Sequence, residues 1–238
     1  MKKLKFIAIN ELAHNLKDKP RPAKEHTPGW YKNAPAYFFN GKKNKKAKII
    51  SGSNRQKNLT FKHCVPLIDG MNAGYIIELQ SDIQCTLDNN NDFLLEWLPN
   101  DNIFTIHGEN TEFITPPIGY NKRVVKYHWN VLPKTPKGYS SLIIKPLAFN
   151  DLVLYAVPAI VDTDTNNQSF DLPMWVAKDY TGIIKKGTPL AQIIPFKRDD
   201  WTSSYELDTS YKDNHEKGFL SVIKGHYRNN VWNKKTFD

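Results

Sequence analysis

A chain of 238 residues with 40% hydrophobic content can bury a core without disulfide or metal staples, and its eleven Tyr, twelve Phe and six Trp favour sheet over a helical bundle. No stretch approaches the ~20 apolar residues of a membrane span, and the early apolar run FIAI is shorter than the ~7–15 residues of a secretory signal core, so a soluble protein made in a cytoplasm is expected. The net charge of +9 is unevenly placed: residues 1–62 carry sixteen Lys and Arg against three acids, residues 63–210 eleven against eighteen, and residues 211–238 six against three. A mildly acidic body with basic ends suits contact with acidic surfaces, nucleic acid or a neighbouring subunit.

Three regions are expected: an extended aromatic and basic N-terminal arm over 1–60, a β-rich core over 61–210, and a C-terminal arm or short helix over 211–238. In the first, Pro20, Pro22, Pro28 and Pro35 break helix, while Trp30, Tyr31, Tyr37, Phe38 and Phe39 are too aromatic for a free linker and must pack on something. The run GKKNKKAK places Lys42, Lys43, Lys45 and Lys46 in one basic loop. From LTFKHCVPLIDGMNAGYIIELQ, which begins at Leu59, onward the pattern turns to strands. AGYIIEL is followed by DIQCTLD, in which Ile83, Cys85 and Leu87 alternate with polar residues, and the turn DNNND leads into DFLLEWL, a hairpin. VVKYHWNVLP, GYSSLIIKPLAF, LVLYAVPAIVD and TPLAQIIPF follow, separated by PKTPKGY, FNDL, DTDTNN and KKGTP. Short strands at this spacing, with no βαβ rhythm, predict a sandwich, jelly roll or related β-roll. In the tail, Tyr227, Arg228 and Trp232 form a basic-aromatic tip suited to docking.

Chemistry-bearing residues are sparse. Cys64 and Cys85 lack zinc-ligand spacing and are expected to be reduced; no cofactor or metal is expected. The seven histidines form no catalytic pattern. Asp162 and Asp164 in DTDTNN read as turn acids bonded to their own backbone, and Gln192, among Leu190, Ile193 and Ile194, reads as a strand residue paired with a buried backbone group or a subunit-axis partner. KRDD after that strand marks the exit from the core, with Trp201 tucked against the outside.

AGYIIEL (73–79), AIVDTD (159–164) and IIKKGTPLAQIIPF (183–196), in that order, resemble the AG-x-D-L opening, the G-V-I-D-x-D-Y hairpin and the G-D-x-I-A-Q-L closing strand of the dUTPase and dCTP-deaminase-like superfamily. The resemblance implies a β-clip or distorted jelly roll, commonly trimeric, with Asp162 at the water-orienting position, Asp164 as the second acid, Gln192 as the closing-strand Gln, and magnesium for a nucleotide substrate. Ile76 and Ile77 stand where the opening element supplies its Asp, KPLAF replaces the phosphate-binding R-S-G, and the closing Gly-rich arm is missing. A triphosphate therefore has little to hold it. Over nearly its full length the chain also resembles a family of uncharacterised proteins of tailed phages and some bacteria.

Together these features predict a mainly β protein, a dUTPase-like β-clip or distorted jelly roll with basic N- and C-terminal arms. The expected role is a non-catalytic phage structural or binding protein, a homo-oligomer in the host cytoplasm or in a virion. Its partners would be other phage structural proteins, contacted through Trp30, Tyr31, Lys42, Lys43, Lys45 and Lys46 in the first arm and Tyr227, Arg228 and Trp232 in the last. The rival is a nucleotide pyrophosphatase-like enzyme using Asp162; a third class is a nucleic-acid-binding module, whose binding would weaken steeply with salt.

Overall fold

The computed structural model describes residues 2–15, 19–38, 58–97, 103–107, 114–168, 170–207 and 227–238. Within them the chain is mainly β, and every strand pairing is antiparallel.

The predicted hairpin forms: β6 (Ile83–Leu87) pairs with β7 (Phe93–Glu96) around a turn in which the Asp88 carboxylate accepts from the backbone N–H groups of Asn90 and Asp92. Two longer runs are divided by the structure. VVKYHWNVLP breaks at Trp129 into β9 (Tyr120–His128) and β10 (Val131–Lys134). LVLYAVPAIVD breaks at Val157–Pro158 into β12 (Leu154–Ala156) and β13 (Ala159–Val161), which enter different sheets. Strands β8 (Phe104–Ile106), β14 (Asp171–Ala177) and β15 (Gly182–Ile184) carry little alternation or an internal proline, and the sequence pattern does not announce them.

Two sheets share the core. One runs β13, β11 (Tyr139–Ile144), β16 (Pro189–Lys197), β5 (Tyr75–Glu78), β2 (Arg21–Pro22); the other runs β12, β14, β9, β8. Ile77, Ile143, Leu190 and Ile193 from the first meet Val125, Tyr127, Met174 and Val176 from the second in one apolar cluster. β15, β6 and β7 form a third sheet that adds Ile83, Cys85, Phe93 and Ile184. Burial drives the Tyr127 hydroxyl pKa far above its ordinary value, which keeps it neutral.

The N-terminal segment is not an extended arm where it is described. β1 (Lys5–Ala8) pairs with β10, and Phe6 packs edge-on against Tyr75 and Trp129. β2 closes the edge of the five-stranded sheet on β5, Ala23 is buried in the short 3₁₀ turn that follows, and further along β3 (Tyr37–Phe38) pairs with β4 (Asn58–Leu59). The physical reason is the one visible in the composition: the aromatic and apolar residues here have surface to lose, and the sheet edges have free backbone groups to receive them. A short helix, α1 (Glu11–Asn15), opens on the Asn10 side chain, which accepts from the Ala13 N–H. A second, α2 (Gly29–Asn33), carries Trp30 and Tyr31.

A third helix, α3 (Val65–Asn72), has Pro66 in its first turn and ends at Ala73–Gly74. Proline at the start and glycine past the end are legible start and stop signals, masked because VPLI reads equally well as strand. The C-terminal residues also return to the body. The Trp232 indole N–H and Lys235 both donate to the Asp69 carboxylate of α3, and the Tyr75 hydroxyl donates to the Asp238 carbonyl. Residues Tyr227–Val231 form one π-type turn, and the preceding part of the expected arm or helix, 208–226, lies outside the described residues. No helix among the described residues is long and apolar enough to cross a membrane.

Candidate binding surface

Gln192 organises the most distinctive surface of the molecule. It lies on β16 between the two sheet partners Ile76 and Ile144, fully buried, and all of its amide is used. Its Nε2 donates to the carbonyls of Gly70 (2.9 Å) and Ala73 (2.6 Å) at the end of α3, and its Oε1 accepts the Leu147 N–H (2.9 Å). One side chain therefore caps the helix and pins the loop that follows β11. That loop is held again by Lys145 donating to the Phe149 carbonyl and by a turn bond from the Phe149 N–H to the Pro146 carbonyl.

Against this loop sits α2. The Trp30 indole N–H donates to the Ala148 carbonyl (3.0 Å), which fixes the ring while leaving it 45% exposed. Trp30, Tyr31 and Phe61 form a mutual aromatic cluster, with Trp30–Phe61 centroids 5.5 Å apart, and Phe61 is 43% exposed. Lys62 donates to the Lys32 carbonyl and lies over the Tyr31 ring. Leu67 of α3 and Leu147 of the pinned loop are also exposed, and the Leu147 side chain lies against Gly70 of the same helix. Beside it a depression of about 350 Å³ is lined by Trp30, Phe149, Asn150 and Asp151. The surface is thus aromatic, oriented from beneath and edged by lysine.

Asp162 and Asp164 lie elsewhere, at the far end of β16. Arg198 grips Asp164 with both terminal nitrogens, and the Gly138 N–H donates to the same carboxylate (2.8 Å). These contacts, Arg198 first, hold the Asp164 carboxyl well below the usual carboxylate range. Its side chain is 3% exposed. Asp162 is 63% exposed, and its Oδ1 accepts from Ser140 (2.6 Å) and Arg198 (3.1 Å). Behind them the hydroxyls of Thr135, Ser141 and Thr163 bond to one another. The acids therefore bond across to β11 and Arg198 rather than only within their own turn. Gln192 is not among them: it serves α3 and the loop at the other end of the strand.

Other predicted residues are placed as follows. Trp232 is held by Asp69, and Tyr227 and Arg228 are exposed. Lys42, Lys43, Lys45 and Lys46 lie outside the described residues. Cys64 is an exposed free thiol, Cys85 a buried one whose pKa burial raises. Trp201, expected to tuck against the body, is instead 88% exposed. No group of three or more His, Cys, Asp or Glu suited to a metal occurs among the described residues. Sequence reasoning missed Phe61, Leu67 and the 145–151 loop, which carry no signal until the helix and the N-terminal segment meet. It also missed Arg198 as a partner of Asp164, since a strand-exit arginine reads as solvated. No family model matches the chain, and no curated protein is similar enough to count as a relative.

The ion-paired carboxylates set an acid limit on stability. Burial opposes the charge on Glu78, but hydrogen bonds from His26 (2.8 Å) and Arg21 (2.9 Å) together outweigh it and lower its pKa from 4.5; Asp164 is lowered from 3.8. A group whose pKa is depressed by folding contributes stability above its unfolded value and loses it as pH falls toward the folded one. Denaturant titrations should therefore show constant stability from these groups above about pH 5 and a steepening loss below about pH 4. Asp164→Asn should flatten that loss and lower the plateau. An unchanged acid slope in the variant would mean that the Arg198 pair contributes nothing to the acid limit.

Proposed function

We propose that the protein is a non-catalytic assembly or binding protein of the tailed-phage type, built on a distorted jelly-roll or β-clip plan and acting as a homo-oligomer in the host cytoplasm or in a particle. The observation that carries this reading is the Trp30–Phe61 surface. Monomers rarely keep an oriented indole and phenyl half-exposed on a rigid base unless something covers them, and aromatic residues dominate protein contact sites. Gln192 stiffens that base, so little ordering is left to be done on binding. The ends of the chain, packed on the body, act as part of its surface rather than as free tethers.

The nucleotide-hydrolase reading draws no comparable support. Arg198 and Ser140 hold Asp162 through Oδ1, but the R-S-G and glycine-rich elements that would cradle a triphosphate are replaced or missing in the sequence.

The test is co-sedimentation of the purified chain with phage particles, together with its native mass. Trp30→Ala should lower particle or self-association at least tenfold while the far-UV spectrum and melting temperature stay close to the parent, because the ring is half-exposed. Turnover of any deoxynucleoside triphosphate with magnesium that disappears in Asp162→Ala would overturn the reading.

A further inference from the structure

After β16 the chain is fixed and then released. The Arg198 N–H donates to the Gly138 carbonyl (2.9 Å) and its side chain is locked on Asp162 and Asp164, so the direction of exit is set. Residues 199–207, DDWTSSYEL, then run with no helix or strand, all of them exposed. Trp201 is 88% exposed, Leu207 90%, and Tyr205 completely. These three stand at odd positions, two or four apart. In an extended chain alternate side chains share a face, so they form one apolar edge about 20 Å long, with Thr202, Ser204 and Glu206 on the other. An amphipathic strand without a sheet is a strand prepared for another surface. From this we infer that residues 199–207 are an exchange arm that docks on the Trp30–Phe61 surface of a second copy of the chain. The inference rests on the assembly reading above and supplies its contact.

Charge selects the surface. The arm carries Asp199, Asp200 and Glu206 and no Lys or Arg. Trp30, Tyr31 and Phe61 belong to residues 1–62, which carry sixteen Lys and Arg against three acids, and Lys62 lies over the Tyr31 ring, with Asp151 the one acid lining the adjoining depression. Topology selects the second copy. The surface is built beside Gln192, which pairs with Ile144 at one end of the β11–β16 ladder; the arm leaves past Lys197, which pairs with Tyr139 at the other. β16 runs from the surface toward the exit, so the arm starts about 20 Å away and heads outward. To reach its own Trp30 it would have to reverse direction and run back along β16, whereas a neighbour meets it directly. Arm and surface at opposite ends suit either reciprocal exchange in a two-fold dimer or head-to-tail closure into a ring.

The experiment uses the full chain over a concentration series, by sedimentation velocity and light scattering. Three chains are compared: the parent, the triple variant Trp201→Ser, Tyr205→Ser, Leu207→Ser, and a surface variant Phe61→Ser. The arm residues support no other part of the fold, so the triple variant keeps the parent's melting temperature. Self-association should weaken at least tenfold in both variants. The exposed thiol of Cys64, whose N–H bonds the Phe61 carbonyl, supplies a proximity probe. Tyr205→Cys under mild oxidation should give a disulfide to Cys64 between chains, traced by mass spectrometry of mixed isotope-labelled protein and lost in Cys64→Ser. Association that survives the triple substitution overturns the arm and leaves the assembly reading standing. A cross-link confined to single chains assigns the arm to its own subunit and also overturns the inference. A parent chain that stays monomeric throughout overturns both.

Discussion

Gly74→Ala should abolish soluble folded protein or lower stability by more than ~3 kcal/mol, the largest loss expected from alanine at any of the described glycines. Gly74 has φ of +68°, in the left-handed region that an L side chain enters at a cost of about 1 kcal/mol. Steric contact costs more. A Cβ there would fall far inside van der Waals distance of the Ile193 carbonyl oxygen, 2.9 Å from its carbon and 3.0 Å from the Ile194 Cα. All three are backbone atoms of the central strand β16, so relief requires moving β5 away from it. That motion would strip Ile77 and Leu79 from the core, break the Tyr75–Ile193 and Ile76–Gln192 pairings, and release the Ala23 N–H from the Gly74 carbonyl. Gly119→Ala is the internal control: its φ is +88° but nothing stands within 4 Å of the added methyl, so only the conformational cost of about 1 kcal/mol applies. Guanidinium unfolding of both variants separates the two contributions. Equal midpoints would mean that the close approach of β5 and β16 is not what the glycine permits.

Gln192→Leu should cost roughly 2–4 kcal/mol despite similar size and complete burial, since buried backbone groups lose their partners. The Leu147 N–H and the Ala73 carbonyl would be left without Gln192, while the Gly70 carbonyl keeps its weaker bond from the Ala73 N–H (3.3 Å). The effect is not confined to stability. The helix end and the 145–151 loop both rest on this amide, and Trp30 rests on the loop through Ala148. Hydrogen exchange should therefore rise at 147–149 and at the end of α3, and association through the Trp30 surface should fall with it. Gln192→Glu sharpens the test. Its carboxylate would face the carbonyl oxygens of Gly70 and Ala73, so at neutral pH it should be worse than leucine. Burial and those oxygens favour the protonated acid, so its folded pKa is raised and the deficit should shrink as pH falls. A glutamate variant as stable as the parent at pH 7 would contradict the bonding described for Gln192.

Local physics made part of this molecule legible in its residues alone. Alternation of Ile83, Cys85 and Leu87, the Asp88 turn and the aromatic content identify an antiparallel β protein with a hairpin over 83–96. The surplus of aromatic residues over 1–60 shows that this segment must be covered, and the turn residues locate most strand ends. Partnership, by contrast, belongs to the folded chain. A period of two says which side chains share a face but not which strand lies alongside, so nothing local divides VVKYHWNVLP at Trp129, sends β12 and β13 to different sheets, or turns the N-terminal arm into β1 and β2. Buried polar groups are satisfied from far away along the chain: Gln192 by Gly70, Ala73 and Leu147, and Asp164 by Gly138 and Arg198. The candidate surface has the same origin, for Trp30 and Phe61 meet only in the folded chain, and Trp30 is seated on the loop that Gln192 pins.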